Sequence, residues 1–369
     1  RLQLCDDALT AEADDATDYY ETTNSYDFRN RLVRSLGPNK VLSVRDLDNL
    51  GRVKYSEQYT GVTDVDATLD TEDRLVHSKT YYDERGRVYE TRRYEVYRGT
   101  TNKGDLGSYL STEHWYDARG RRVKTEHTGD YLTKTEYDGL GRTVASYVSF
   151  DSDETAYGDA DDVSGDTVIE ETRYTYDDAG NVIQTTSYAR VDGATLTGAL
   201  SDGTWSSADS RRTFSATWYD DLGRTTHSAA YGTNGGSDLS RPGTPPEPDT
   251  SDNVIVTKYV YNDAGRVSDV YDNENTRTHT VYDDLGRTEK TIENYQNGTV
   301  GEEEYAADRT TEYEYDASGR LATLIAHSPK GSGEDVEEQK TRYLYESDYS
   351  GSYTTAVVYP DSEDVLSQD

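Results

Sequence analysis

The sequence predicts an all-β protein built from tandem hairpins, and three observations lead there. The outline Tyr-Asp-x-x-Gly-Arg recurs in phase along the chain, as in "YYDERGRV", "EYDGLGRT" and "VYDDLGRT". The segments beside it alternate Tyr, Thr and Val with polar residues, the period-two pattern of a half-buried strand. Helical periodicity is nowhere sustained, so almost no helix is expected.

Each position of the outline has a physical job. Aligned on the motif tyrosine, ten units start at Tyr26, Leu47, Tyr82, Tyr116, Tyr137, Tyr176, Tyr219, Tyr261, Tyr282 and Tyr315. The next residue is Asp nine times and Asn262 once; the fourth onward is Gly nine times and Asn30 once; the fifth is Arg nine times and Asn181 once. Asp at the first corner of a type I turn accepts the backbone N–H two residues on, and Gly takes the left-handed position that closes the hairpin. Asn is the common residue that serves in either place. The exceptions obey backbone rules, so the motif reads as a structural turn. The pairs Asp83 and Gly86, Asp117 and Gly120, Asp138 and Gly141, and Asp177 and Gly180 are such turns. So are Asp220 and Gly223, Asp283 and Gly286, and Asp316 and Gly319. A catalytic aspartate would not recur this often and tolerate amidation.

The flanks read as strands. Two residues before the motif tyrosine stand Thr80, His114, Thr135, Tyr174, Thr217, Tyr259, Thr280 or Tyr313, on the same sheet face as the tyrosine. Units follow at spacings of 21, 35, 34, 21, 39, 43, 42, 21 and 33 residues. The shortest holds two strands and two turns, so longer units carry insertions at the end away from the motif. These are polar and acidic: 151–171 holds nine acids and no base, and 240–252 holds four of the seven prolines. They are placed as loops or extended hairpins on one edge of a continuous sheet. "TRYLYESDYSGSYTTAVVYPD" reads as an eleventh, degenerate hairpin. Residues 1–20 read as an irregular lead-in or the remnant of a preceding repeat, and 21–369 as the array.

Stacking such units sets Tyr beside Tyr and Arg beside Arg at about 4.8 Å per strand. Arg over a Tyr ring adds about 0.5–1 kcal/mol at an exposed site, and neighbouring acids or carbonyls are expected to interleave between the arginines. Composition points to rings as the core: Leu, Ile, Val and Phe total only about 58 residues, against 34 tyrosines.

A net charge of −34 disfavours nucleic acid and anionic membranes as partners. Cys5 is the one cysteine, which excludes an internal disulfide. With no methionine, even at position 1, the chain reads as a processed product or an interior piece. No apolar run of 18 residues occurs, so no spanning helix is expected.

The ten motifs, covering about residues 20–350, resemble the YD repeats of the RHS-repeat family, which includes bacterial RHS proteins, B and C components of insecticidal toxin complexes, and teneurins. The resemblance implies a long β-sheet that curves or spirals into a shell and a structural role. The shell would enclose a C-terminal domain or act as a surface module, outside the cell or on its surface. Partners would be flanking repeats of a longer protein, copies of the chain, or an enclosed domain beyond it. The DPxGxxG-type segment that ends the shell of toxin-releasing members is absent from these residues.

Sequence motifs for catalysis are missing: no GxSxG, HExxH, GxxxxGK[ST] or dinucleotide glycine fingerprint occurs. His77, His114, His127, His227, His279 and His327 are scattered without ligand spacing. The expectation is a protein that is not an enzyme and needs no cofactor. A calcium site is the alternative, from Asp159, Asp161, Asp162 and Asp166 in "DADDVSGD", or from Asp64, Asp66 and Asp70. Alternating Asp residues supply the oxygens calcium needs, although the closing Glu and helices of the twelve-residue loop are missing. Trp115 and Trp218 face away from their neighbouring motif tyrosines and read as packing more than as sugar platforms. Asn297 in "NGT" fits a glycosylation acceptor.

Overall fold

Every Asp-x-x-Gly segment lies between two antiparallel strands whose Tyr, Thr and Val residues suit a pleated surface. The computed structural model describes residues 3–5, 19–151, 157–203, 206–250, 252–296, 307–328, 337–345 and 354–360. The chain divides into two compact units, Arg1–Thr172 with Tyr188–Ser210, and Arg173–Ser187 with Arg211–Asp369. Both are all-β. The three helical elements among the described residues are single 3-10 turns at Thr71–Asp73, Tyr157–Asp159 and Asn234–Gly236. No helix among the described residues is long and apolar enough to cross a membrane.

In the first unit, β1 (Gln3–Cys5) pairs antiparallel with β2 (Tyr19–Glu21) in a short ladder ahead of the array. The array then runs through β3 (Thr23–Tyr26), β4 (Leu32–Leu36), β5 (Leu42–Leu47), β6 (Val53–Tyr59) and β7 (Arg74–Tyr82). It continues through β8 (Val88–Val96), β9 (Leu106–Tyr116), β10 (Arg122–His127), β11 (Tyr131–Tyr137) and β12 (Thr143–Phe150). Each strand from β3 to β12 is antiparallel to the next. The boundary between the units falls within β13 (Thr167–Tyr176) and β14 (Val182–Arg190).

The second unit repeats the plan. It is built from β15 (Ser210–Tyr219), β16 (Thr225–Gly232), β17 (Ile255–Tyr261), β18 (Val267–Tyr271) and β19 (Arg277–Tyr282). It ends with β20 (Thr288–Glu293), β21 (Arg309–Tyr315), β22 (Leu321–Ser328), β23 (Glu337–Tyr345) and β24 (Thr354–Val358), again one unbroken antiparallel ladder. The last pair is the eleventh hairpin.

Beside most motif turns the register slips by one residue: Tyr82 faces Val88 and Tyr81 faces Glu90, which leaves Tyr89 as the bulged residue. The same slip precedes Tyr26, Leu47, Tyr137, Tyr219, Tyr261, Tyr282, Tyr315 and Tyr345. A bulge at a fixed place adds twist and pins register.

The core differs from the expectation of packed rings. Its buried residues form three mostly aliphatic clusters beneath the insertions. Leu42, Tyr59, Val62 and Val65 make one, Ala145, Tyr147, Val163, Val168 and Leu200 a second, and Ala216, Trp218, Ala229 and Val256 a third. Val62, Val65, Val163 and Leu200 come from the insertions themselves, which fold over the strands. The motif tyrosines are half-buried, and Tyr26 is more exposed than that. A ring whose hydroxyl must reach a partner at the turn edge cannot sit fully dry in a core.

Candidate functional site

The most regular chemistry in the molecule lies at the motif turns. In each described turn the N–H of the Asp or Asn donates to the carbonyl four residues on, and the N–H of the glycine or asparagine three residues on donates back to its carbonyl; for Asp83 both bonds are 2.9 Å. The same pair of bonds forms at Asp27, Asp48, Asp117, Asp138, Asp177, Asp220, Asn262, Asp283 and Asp316. The closing glycines have φ between 75° (Gly223) and 91° (Gly141 and Gly180), and Asn30 takes the same left-handed conformation at 59°. This is a type I turn closed by a left-handed bulge residue.

The aspartate side chain carries the turn. At Asp83, Oδ1 accepts the N–H of Arg85 at 2.9 Å and that of Arg87 at 2.8 Å, while Oδ2 accepts Nε of Arg87 at 2.7 Å. Arginine is thus paired first with its own motif's aspartate, and the expected interleaving carbonyls are met at Arg31 and Arg121, whose Nη1 donates to the Asp48 carbonyl at 2.9 Å and the Asp138 carbonyl at 3.3 Å. At Asp138, Asp220 and Asp316 the backbone N–H of the arginine four residues on, and then its guanidinium, hold the carboxyl below the usual carboxylate range. At Asp83, Asp117 and Asp283 desolvation pushes upward and the same bonds outweigh it.

Each guanidinium then reaches the next unit. Arg52 lies 4.4 Å from the Tyr82 ring centroid, Arg87 4.3 Å from Tyr116, Arg121 4.4 Å from Tyr137 and Arg287 4.2 Å from Tyr315. The tyrosine hydroxyl reaches the other way and donates to a carbonyl just past the preceding turn. Tyr82 donates to Val53 at 3.0 Å, Tyr116 to Val88 at 2.7 Å, Tyr261 to Thr225 at 2.7 Å and Tyr315 to Thr288 at 2.8 Å. Tyr345, which starts the eleventh hairpin, repeats both contacts, with Arg320 4.3 Å from its ring and its hydroxyl 2.8 Å from the Leu321 carbonyl. Where the motif has another arginine at its third position past the start, that side chain clamps the next turn too, as Arg29 does on the Asn49 carbonyl at 2.8 Å. Spacing could suggest that Arg and Tyr meet. The hydroxyl-to-carbonyl bond had no sequence signal, because backbone acceptors are invisible in residue identity.

The acidic loop behaves differently from a calcium loop. Lys134 on β11 sends its buried ammonium into it, donating to the Asp159 carbonyl at 3.0 Å, the Asp162 carbonyl at 2.5 Å and Asp166 Oδ1 at 3.0 Å. Ser149 donates to Asp166 Oδ2 at 2.8 Å. Asp162 turns its own carboxylate to Ser164, whose backbone N–H and then hydroxyl hold that carboxyl low, and Asp161 is exposed. Three of the four residues proposed for calcium therefore converge on a lysine. An ammonium at the focus of the donor set repels a second cation, so this set does not fit calcium in the described arrangement. Asp64 and Asp70 cap local N–H groups of Asp66 and Glu72 and do not converge. Among the described residues no three His, Cys, Asp or Glu side chains group so as to hold a metal.

The histidines are placed by carboxylates and rings. Glu57 takes the His77 Nδ1 at 2.7 Å, Arg74 at 3.1 Å and the Tyr59 hydroxyl at 2.9 Å, with His77 buried between Tyr55 and Tyr94. Asp269 takes His279 at 2.7 Å and Arg277 at 2.6 Å in the second unit. Trp218 is buried and donates to the Pro242 carbonyl at 3.1 Å beneath Arg241, while Trp115 stacks with Lys124 at 4.4 Å. Asn297 lies outside the described residues.

Among solved structures, the chain is similar to the crystal structure of TcdB2-TccC3-TEV at 14% identity, over 88% of this chain and 20% of that one, with a TM-score of 0.30. It is similar to the Photorhabdus luminescens Tc holotoxin pore at 15% identity, over 85% and 16%, with a TM-score of 0.32. A porin-like protein from Bacteroides uniformis aligns at 8% identity, over 82% and 95%, with a TM-score of 0.23. The chain spans about a fifth of the TcdB2-TccC3-TEV chain. No family model and no curated protein matches it.

Proposed function

We propose that this chain is a non-catalytic structural segment of a longer extracellular or cell-surface protein of the YD-repeat type, a wall of hairpins that pairs with flanking repeats or with copies of itself. One observation carries this: the motif aspartate, arginine and tyrosine are consumed in holding one unit to the next, turn after turn. Residues tied this way present no free carboxylate at the repeated motif positions. The buried Glu57–His77 pair supports the same reading, since its ring is closed in by tyrosines. No cofactor is required, and calcium is dispensable because Lys134 supplies the cation of the acidic loop.

The test is electron microscopy of the native full-length protein with a parallel melting scan. Closed particles or fibres with the hairpin spacing support a wall or scaffold. Discrete globular particles lacking both forms defeat the proposal. A melting temperature raised by calcium and lowered by chelator would instead favour a calcium-dependent binding module.

A further inference from the structure

One face of the first unit carries a groove whose chemistry the ladder does not use. Two adjoining hollows of about 420 and 400 Å³ open there and share Ser78 and Arg93 in their walls. Strand register explains the lining. Arg45, Ser56, Ser78, Arg93 and Leu110 are successive cross-strand partners from β5 to β9 and form one lateral row. The adjacent row is Thr80, Thr91, Thr112, His127, Tyr131 and Phe150, from β7 to β12. Two-residue spacing on β7, β8 and β9 puts both rows on the same side of the sheet.

Three features single this face out. Most described arginines are tied to aspartate, a ring or a carbonyl, yet neither the Arg45 nor the Arg93 guanidinium has a hydrogen-bond or ion-pair partner among the described residues, and both side chains are exposed. The one carboxylate in the walls, Glu57, is engaged by Arg74, His77 and Tyr59 and so faces away. In a chain of net charge −34 two such arginines in one row stand out, although Glu95, two residues from Arg93 on the same face, is also exposed. Finally, the second row ends in partly exposed rings: His127 stands 5.8 Å from Tyr131, which stands 5.6 Å from Phe150.

We propose that this groove binds an acidic oligosaccharide, one bearing uronate or sulfate groups. The arginines are three strand steps apart, about 14 Å at the backbone, and suit separated anionic groups on a linear chain through bidentate pairing. The short hydroxyls between them offer donors and acceptors to sugar hydroxyls, and Tyr131 with Phe150 gives a flat apolar surface for a ring face. A peptide would ask for apolar pockets or a free strand edge, and long nucleic acid meets the repulsion of the whole chain. The site adds a ligand to the scaffold proposed above without depending on it.

The experiment is calorimetric titration of the full chain with an oligogalacturonate, a heparin-derived hexasaccharide and a neutral malto-oligosaccharide, with an acidic peptide and a short single-stranded DNA as charge controls. Binding of at least one acidic sugar, tenfold or more tighter than the neutral one, is expected. The Arg45→Ala/Arg93→Ala double variant should lose that binding at least tenfold with an unchanged unfolding midpoint, because neither arginine holds the fold. Tyr131→Ala should weaken it several-fold. Equal affinity for neutral and acidic sugars, indifference to the double variant, equal binding of the peptide or DNA, or no binding to any sugar overturns the assignment. None of these outcomes alters what microscopy would show of the assembly.

Discussion

At the motif end of the hairpins ten turns share one backbone plan, whereas at the far end no two of the longer connections match in length. The motif end is held by polar, partly exposed contacts: a turn carboxylate, a guanidinium and a phenol that reaches back to the preceding unit. The far end is held by burial, with Val62, Val65, Val163 and Leu200 brought over the strands by insertions. A uniform edge sets register and repeats without limit, but it buries little apolar surface. The variable edge supplies the local cores a low-aliphatic chain needs. The two ends therefore divide specificity from stability.

The largest single effect should come from the far end. Lys134→Met leaves Asp166 buried without its cation, which costs about 3–5 kcal/mol for a broken buried pair, read as a lower urea midpoint. Replacing both partners, Lys134→Met with Asp166→Leu, should recover much of that loss. A single variant that costs less than about 1 kcal/mol would mean that the ammonium is not the anchor of this loop.

At the motif end the heaviest blow is Gly286→Val, with an expected cost of about 1–2 kcal/mol. The turn needs φ of 85° there, and a Cβ would also overlap the Arg266 guanidinium that lies against the glycine. Hydrogen exchange should loosen around Asp283 and Arg287 while the far-end cores stay protected. Loosening of both ends together would show that the division between them is false.

Acid acts on the same turns with a smaller effect per site, because each Asp–Arg pair is partly exposed and screened. The motif carboxyls sit below 3.8 in the folded chain, so their contribution is present above about that pH and is lost as pH falls through the folded values. Asp283→Asn keeps the turn, as Asn262 does, and removes one titrating group. Between pH 6 and pH 3 that variant should lose less stability than the parent chain. An identical acid loss would show that the turn carboxylates do not report on folding.

The turns were legible in the sequence because their demands are local: a left-handed φ and a capping carboxylate each restrict one residue. Even Asn30 and Asn262 could be explained before any strand was placed. The cores were not legible, because Val62 and Val163 stand alone in acidic runs, and nothing within a few residues says that a strand will lie beneath them. Lys134 and Asp166 meet across 32 positions, so a lysine in one strand could not be matched to an aspartate read as a calcium ligand. Arg45 and Arg93 fall outside the motif, and only register brings them into one row.

Asn181 gives the finest test of how the motif end works. It keeps the aspartate in place, with its N–H 2.8 Å from Asp177 Oδ1 and its amide 2.9 Å from Oδ2. Yet it is too short to reach onward, and among the described residues no cation stands over the Tyr219 ring, although the Tyr219 hydroxyl still donates to the Val182 carbonyl at 2.8 Å. The turn and the hydroxyl bond are therefore separable from the arginine, which adds the ring contact and, at Arg31 and Arg121, a bond to the next turn's carbonyl. Asn181→Arg should place a guanidinium over Tyr219 as Arg224 lies over Tyr261, and stabilise the second unit by about 0.5–1 kcal/mol. In a Tyr219→Leu background, which mimics the natural Leu47 unit, most of the gain should vanish, leaving at most a bond to the next turn's carbonyl as Arg31 makes to Asp48. A gain of equal size in both backgrounds would assign the arginine's value to charge alone, and the Tyr–Arg ladder would then be a consequence of register and not a contributor to it.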